Sequence, residues 1–378
     1  MLFWQVFQMD KHVYWGPKEE FIKQYQLEEA FDFHKLVNIA QKEEKQFEIK
    51  GYKGTNDEKI APIEKLVIFS DEYAMVNEWV LDNFEAFLNR FNIKSVYLQN
   101  PPNSVYEKIR KSEYCEEKRY NYLKINTKCV KDITDNYSKT IIGQEVAKDQ
   151  LLKMLYSATF DFLNEKPLVL MFYGPSGVGK TETAKFISSK MGGNLFRKQF
   201  SMFQNNEFAN YLFGAKHSEI SFARDLLDRE TNVILLDEFD KANKVFLSAF
   251  YQLFDEGIFV DKNYSVELKN SIIICTSNYE SLDEIKSNLG FAIFNRFDGF
   301  IKFEKFNEND CKKIISFYYK KYFDFLNLDQ KTLVEQKDVE QLLLNSAHKF
   351  TNAREIDRIV REVVVSVLFD EEIKQSKD

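Results

Sequence analysis

The run Gly174-Pro-Ser-Gly-Val-Gly-Lys180-Thr181 fits the pattern G-x-x-x-x-G-K-[ST] and follows directly on six residues without a charge, Leu168-Val-Leu-Met-Phe-Tyr173. A short all-apolar run is what a strand needs when both its faces are covered in a parallel sheet. Strand, glycine-rich loop and helix in that order form a cradle for phosphate. The glycines let successive backbone N–H groups turn inward around phosphate oxygens, and the helix N-terminus adds its positive dipole end. Lys180 is then expected to reach the β and γ phosphates of a nucleotide, with Thr181 as a ligand of Mg²⁺.

A second element supports the first. Val233-Ile-Leu-Leu236 is another apolar run, and it ends in Asp237 and Glu238. A buried strand puts such carboxylates at its C-terminal edge, beside the phosphate loop of a parallel sheet. Asp237 is expected to hold Mg²⁺ through water, and Glu238 to orient and deprotonate an attacking water.

Further strand-like runs at 194–201 and 271–276 alternate with helical stretches, among them 145–163 and 220–229. That alternation predicts an α/β layer architecture. After Phe303 the pattern turns helical, at 309–325, 337–350 and from Ala353. In the last helix Ile356, Ile359, Val360, Val363, Val364, Val367 and Leu368 make one apolar stripe, with Asn352 as its N-cap.

Towards the N-terminus, 65–69, 76–91 and 94–98 read as strand, helix and strand, a small βαβ unit. Residues 104–139 are charged and aromatic without a sustained period, as expected of a domain end and linker. Three domains follow: a small α/β domain with linker over 1–139, a large α/β domain over 140–303, and a helical one over 304–378.

The balance of 52 Lys+Arg against 59 Asp+Glu gives a net charge of −7, shared as −2 over 1–139 and −5 over the rest. No segment is basic enough for a general nucleic-acid or anionic-membrane surface. Cys115, Cys129, Cys275 and Cys311 include no Cys-x-x-Cys pair, which argues against zinc or redox chemistry and fits a reducing compartment. No apolar run is long enough to span a membrane. Met1–Asp10 lacks a basic lead-in, so a signal peptide is not expected and a cytoplasmic protein is. The 36 Phe and 19 Tyr are expected to fill cores rather than form binding platforms.

From about Ile141 to Ile373, roughly three-fifths of the chain, the sequence resembles the AAA+ ATPases of the Clp type, closest to the C-terminal ATPase module of the ClpB disaggregase. The resemblance is carried by Ile141-Ile-Gly-Gln144, Gly174 to Thr181, Leu235-Leu-Asp-Glu-Phe-Asp-Lys-Ala242, Phe254-Asp-Glu-Gly257, Cys275-Thr-Ser-Asn278, Phe294-Asn-Arg-Phe297 and Asn352-Ala-Arg354. It implies a P-loop module with a helical lid that hydrolyses ATP with Mg²⁺. Ile142 and Gly143 would begin the adenine pocket. Gly174, Pro175, Ser176, Gly177, Val178, Gly179, Lys180, Thr181 and Glu182 would surround the phosphates, with Asp237 and Thr181 at the metal. Asn278 resembles the sensor-1 residue at the γ-phosphate, and Arg354 the sensor-2 arginine of the lid, although Asn352 stands where the family usually has Gly. Arg296 resembles an arginine finger that completes a neighbour's site, which implies a ring, hexameric with nucleotide bound.

The pattern breaks in one place. Clp unfoldases carry an aromatic pore loop after the segment matched by Tyr211-Leu-Phe-Gly-Ala215, but Lys216-His-Ser-Glu219 stands here instead. A second hairpin, Gly257 to Tyr264, could offer Phe259 or Tyr264 to a client, or pack both inside. Two functions are therefore compatible with the sequence: an ATP-driven, chaperone-like ring that remodels a protein partner recruited by the N-terminal domain, and a scaffold that uses ATP as a slow assembly switch.

Overall fold

The computed structural model describes residues 9–48, 61–112, 114–202, 207–242 and 244–375. Residues 1–8, part of the stretch scanned for a signal peptide, lie outside them. The chain divides into two compact units. One comprises residues 1–123, 203–232 and 248–269; the other comprises 124–202, 233–247 and 270–378.

The first unit is built on five strands: β1 (Asp10–Trp15), β2 (Phe31–Asp32), β3 (Ile63–Ile68), β4 (Ile93–Gln99) and β5 (Cys115–Arg119). All pair in parallel, in the order β2-β3-β4-β1-β5. The βαβ expectation is realised by β3 and β4, but the expected helix over 76–91 is two short ones, Glu78–Asp82 and Phe84–Leu88. Asn83 lies between them at φ −118°, outside the helical region, and closes the first by donating its N–H to Trp79 O. Residues 104–139 are also more ordered than expected. They hold β5, whose run of charges suits an exposed sheet edge, and the helix Thr127–Thr140, capped by Asn126.

The same unit contains the helix Phe222–Leu227 and an antiparallel hairpin of two strands, β9 (Ile258–Val260) and β10 (Ser265–Glu267). Phe259 and Tyr264 are each 2% exposed, and the Phe259 ring packs edge-on to Phe222 with 4.9 Å between centroids. These two aromatics belong to the core, so of the two placements the sequence allows the hairpin takes the inward one, and neither side chain is exposed to a client.

In the second unit β6 (Leu168–Tyr173), β7 (Phe196–Gln199), β8 (Val233–Asp237), β11 (Ile272–Thr276) and β12 (Gly299–Lys302) form a parallel sheet in the order β12-β6-β11-β8-β7. Every residue of β6, β8 and β11 is buried, as their apolar runs require. The acid-bearing β8 is not directly beside β6: β11 pairs with both and separates them. The helix expected over 145–163 stops at Ser157. The C-terminal helices are Glu308–Asp324, Leu328–Gln336, Val339–Asn345 and Ala353–Gln375, the second of which falls between the expected helices at 309–325 and 337–350. In the last helix Ile356, Val360 and Val364 are buried, and Asn352 Oδ1 accepts the N–H of Glu355 at 2.9 Å, as its capping role predicts.

Candidate active site

The glycines of the loop after β6 are there for space and for backbone conformation. Gly174, Gly177 and Gly179 have φ of 126°, 77° and 105°, in the region that side chains disfavour. A Cβ on Gly174 would lie 2.1 Å from the Phe303 carbonyl oxygen. The loop then enters the helix Lys180–Met191. Lys180 Nζ donates to the carbonyls of Gly174 (2.6 Å) and Pro175 (2.7 Å) and to Asn278 Oδ1 (3.3 Å). Burial lowers its pKa to about 8, against the opposing pull of Asp240 and Asp237. A buried ammonium held by neutral oxygens is a cation whose charge is not yet matched at hydrogen-bond distance, and a polyphosphate would match it.

At the end of β8 Asp237 sits 3.4 Å from the Thr181 hydroxyl through either carboxylate oxygen. The Thr276 hydroxyl donates to Asp237 Oδ1 (2.5 Å) and accepts the N–H of Glu238 (2.9 Å), so one side chain of β11 fixes both acids. Arg197 on β7 donates through Nε (2.9 Å) and a terminal nitrogen (2.6 Å) to Asp237 Oδ2. Two residues on, Gln199 donates to Glu238 Oε2 at 3.0 Å. Hydrogen bonds from Ser201 and Gln199 hold the Glu238 carboxyl below its ordinary pKa, so it is an ionised base at neutral pH. Glu238 also has a left-handed backbone, φ 54°, a strained conformation for a residue with a side chain.

The lid helix reaches the loop directly. Ala353 donates its N–H to the Gly177 carbonyl (2.9 Å), and an Arg354 terminal nitrogen lies 3.3 Å from Ser176 Oγ. A cavity of about 830 Å³ opens between these groups. Ile142, Ser176, Gly177, Val178, Gly179, Lys180, Thr181, Glu182, Asp237, Glu238, Asn278 and Arg354 all line it. Gly174 and Pro175 stand behind the lining and hold Lys180 through their carbonyls. Gly143 is not in the lining: its φ is 70° and a Cβ there would come within 3.0 Å of Asp310. Arg296 is not in it either, and donates to the Ala292 carbonyl at 2.7 Å.

Sequence reasoning did not single out Arg197, Gln199 or Thr276. Arg197 and Gln199 alternate along one short polar strand, which signals a shared face but not what that face meets. It also missed Phe317, Tyr318 and Lys321 of the helix Glu308–Asp324, which line the cavity as well.

The residues fit a nucleotide with its metal. The loop excludes side chains where phosphates would lie, Lys180 supplies the charge, and a hydroxyl with a carboxylate is an oxygen donor set suited to Mg²⁺. Such a loop, set between a buried strand of a parallel sheet and a helix N-terminus, defines the class of P-loop nucleotide-binding proteins. Residues 165–327 match the family described as AAA domain (Cdc48 subfamily). The chain is 27% identical over 266 residues to the ATP-dependent Clp protease ATP-binding subunit ClpL of Staphylococcus aureus, in strains USA300 and MRSA252 alike. That match takes in 64% of this chain and 38% of the USA300 protein, so the chain spans under two-fifths of the length of these relatives. The fold resembles that of the Hsp104–ADP complex of S. cerevisiae, with a TM-score of 0.52 and 17% identity over 66% of this chain and 49% of that one. The chain thus contains an AAA+ ATPase module, and the module is of the Clp type. Among the described residues no helix is long and apolar enough to cross a membrane.

Proposed function

We propose that the chain hydrolyses ATP, with Mg²⁺ held by Thr181 and Asp237, and uses the cycle to remodel a protein partner as part of a cytoplasmic ring. Bound Mg²⁺ would neutralise phosphate charge. Lys180 draws the β and γ phosphates into the loop, while Asn278 orients the γ-phosphate or the water in front of it. Glu238 takes a proton from that water as its oxygen bonds to the γ phosphorus, and the bond to the β–γ bridging oxygen breaks, leaving ADP and phosphate. Arg354 steadies the nucleotide from the lid. Arg296 acts on the site of a neighbouring copy, where a guanidinium against the transferring group contributes about 10³ to 10⁵ in rate.

The observation that carries this reading is the convergence of Lys180, Thr181, Asp237, Glu238 and Asn278 on one cavity under a lid arginine. Burial of Phe259 and Tyr264 and the polar run Lys216–Glu219, which stands where Clp unfoldases carry an aromatic pore loop, favour local remodelling over threading. The N-terminal domain is the element proposed to recruit the partner. Glu238→Gln tests the chemistry: it should bind ATP normally yet turn it over at least ~100-fold more slowly, the scale of a lost general base. Near-normal turnover would remove Glu238 from the mechanism.

A further inference from the structure

The strand order β2-β3-β4-β1-β5 has a specific consequence at the carboxyl ends of β1 and β4. From β1 the chain runs outward past β4 and β3 to β2, whereas from β4 it runs the other way, past β1 to β5. Right-handed crossovers then carry the two connections to opposite faces, and a crevice opens between neighbouring strands. In open α/β sheets this switch point is where ligands bind. It is filled here by a side chain from elsewhere in the sequence, Asp228.

The crevice is built for that carboxylate. Ser70, Gln99 and Asn100 are 4%, 0% and 0% exposed. Asp228 Oδ2 accepts from Ser70 Oγ (2.7 Å), and Oδ1 from Gln99 Nε2 (2.7 Å) and Asn100 Nδ2 (2.9 Å). The two amides cannot turn away. The Gln99 carbonyl oxygen accepts the N–H of Ser70 (3.2 Å), and that of Asn100 accepts the N–H of Gly16 (2.9 Å). Both amino groups are thereby left facing Asp228, each sharing its second hydrogen with the Gly16 carbonyl. Gly16 fits only as glycine, because a Cβ would lie 2.5 Å from Tyr120 Cβ. None of these residues lines the nucleotide cavity.

We infer that the switch point of the N-terminal sheet is a carboxylate-binding site, occupied in cis by Asp228 and open to a carboxylate from outside when Asp228 is displaced. Burial pushes the Asp228 carboxyl above its ordinary pKa despite the hydrogen bonds and the nearby Arg224, so its charge is held at a cost. Asp228 closes the helix Phe222–Leu227 and precedes β8, the strand of Asp237, by only five residues of chain. Exchange of one carboxylate for another at the crevice would therefore free the side chain that closes this helix. The incoming group is either an acidic side chain of a polypeptide or a small free carboxylate.

Asp228→Ala in the full chain empties the crevice, and Asp228→Asn keeps it filled. In Asp228→Asn the new carboxamide can still accept from Gln99 and Asn100 and donate to Ser70. The Ala variant should melt lower than wild type. Acetate at about five times its Kd should raise that midpoint by roughly 2–4 °C, and should slow hydrogen exchange in Phe222–Leu227. Chloride at equal ionic strength should do neither, and wild type and Asp228→Asn should not respond to acetate. If the Ala variant does not fold unaided, refolding yield in acetate against chloride gives the same reading. Rescue by the blocked peptide Gly-Asp-Gly at lower concentration than acetate, with Gly-Asn-Gly inert, would point to a polypeptide ligand; rescue by acetate alone would point to a small carboxylate. A folded Asp228→Ala with no acetate-specific shift, or no acetate-specific refolding, would overturn the inference.

Discussion

Lys180 should make ATP binding a proton-uptake reaction. Its pKa of about 8 in the free chain stands well below the ordinary 10.5, and burial is the largest cause. That depression corresponds to about 3 kcal/mol against the charged form. Because the unfolded chain binds more protons in this window, the free protein should gain stability as pH rises from about 8 towards 10.5. Phosphates reverse the preference, since negative charge beside the ammonium restores its proton. With the bound form fully protonated, uptake per ATP should be about 0.1 at pH 7, about 0.5 at pH 8 and about 0.9 at pH 9. The dissociation constant should weaken about tenfold between pH 7 and pH 9. Calorimetric titration of Glu238→Gln with Mg·ATP, in buffers of different ionisation enthalpy, measures the uptake without interference from turnover. At pH 8 and above the nucleotide itself is fully ionised and contributes none. Lys180→Met should bind weakly and without pH dependence over the same range. Uptake near zero at pH 9 would refute the assignment of Lys180 as a buried, phosphate-seeking ammonium.

Arg296→Ala should keep nucleotide affinity and lose turnover, and mixing it with Glu238→Gln should recover part of the activity, because the two defects can fall on opposite sides of a shared interface. Full ATPase activity of a strictly monomeric chain in sedimentation and kinetic assays would end that model. Gln199→Leu removes one of the two donors that lower the Glu238 pKa, so the acid limb of the kcat profile should move to higher pH, and an unmoved limb would show that Gln199 does not tune the base. A fused, stably folded fluorescent β-barrel should survive incubation with protein and ATP even when hydrolysis is fast. Its complete unfolding would return the chain to the threading unfoldases.

The parts of the site that the sequence disclosed are those with a local cause. The loop Gly174–Thr181 is legible because three positive-φ glycines and a lysine fall within one short stretch of chain, and cradling phosphate is a property of that local backbone. Asp237 and Glu238 are legible because an apolar run carries them to the edge of a sheet. Arg354 and Asn278 came only from resemblance. Their place beside the loop depends on a lid and on a strand that are distant in sequence.

Local pattern sufficed for the class of fold, for the strands β3, β4, β6, β8 and β11, and for the capped, striped last helix, since burial on one or both faces writes itself into residue periodicity. Tertiary structure alone decided what depends on which strand lies next to which. That Arg197 neutralises Asp237 and Gln199 holds Glu238 follows from β7 pairing with β8 in register. That Phe259 and Tyr264 are core residues follows from what packs over the hairpin. The charged β5 betrays no period because, as an edge strand, it has few apolar contacts to record. Nor could any pattern foresee that Asp228 answers Ser70, Gln99 and Asn100, over a hundred residues away in sequence. Hydrogen-bond partners across such distances are chosen by topology, and topology is a property of the whole chain.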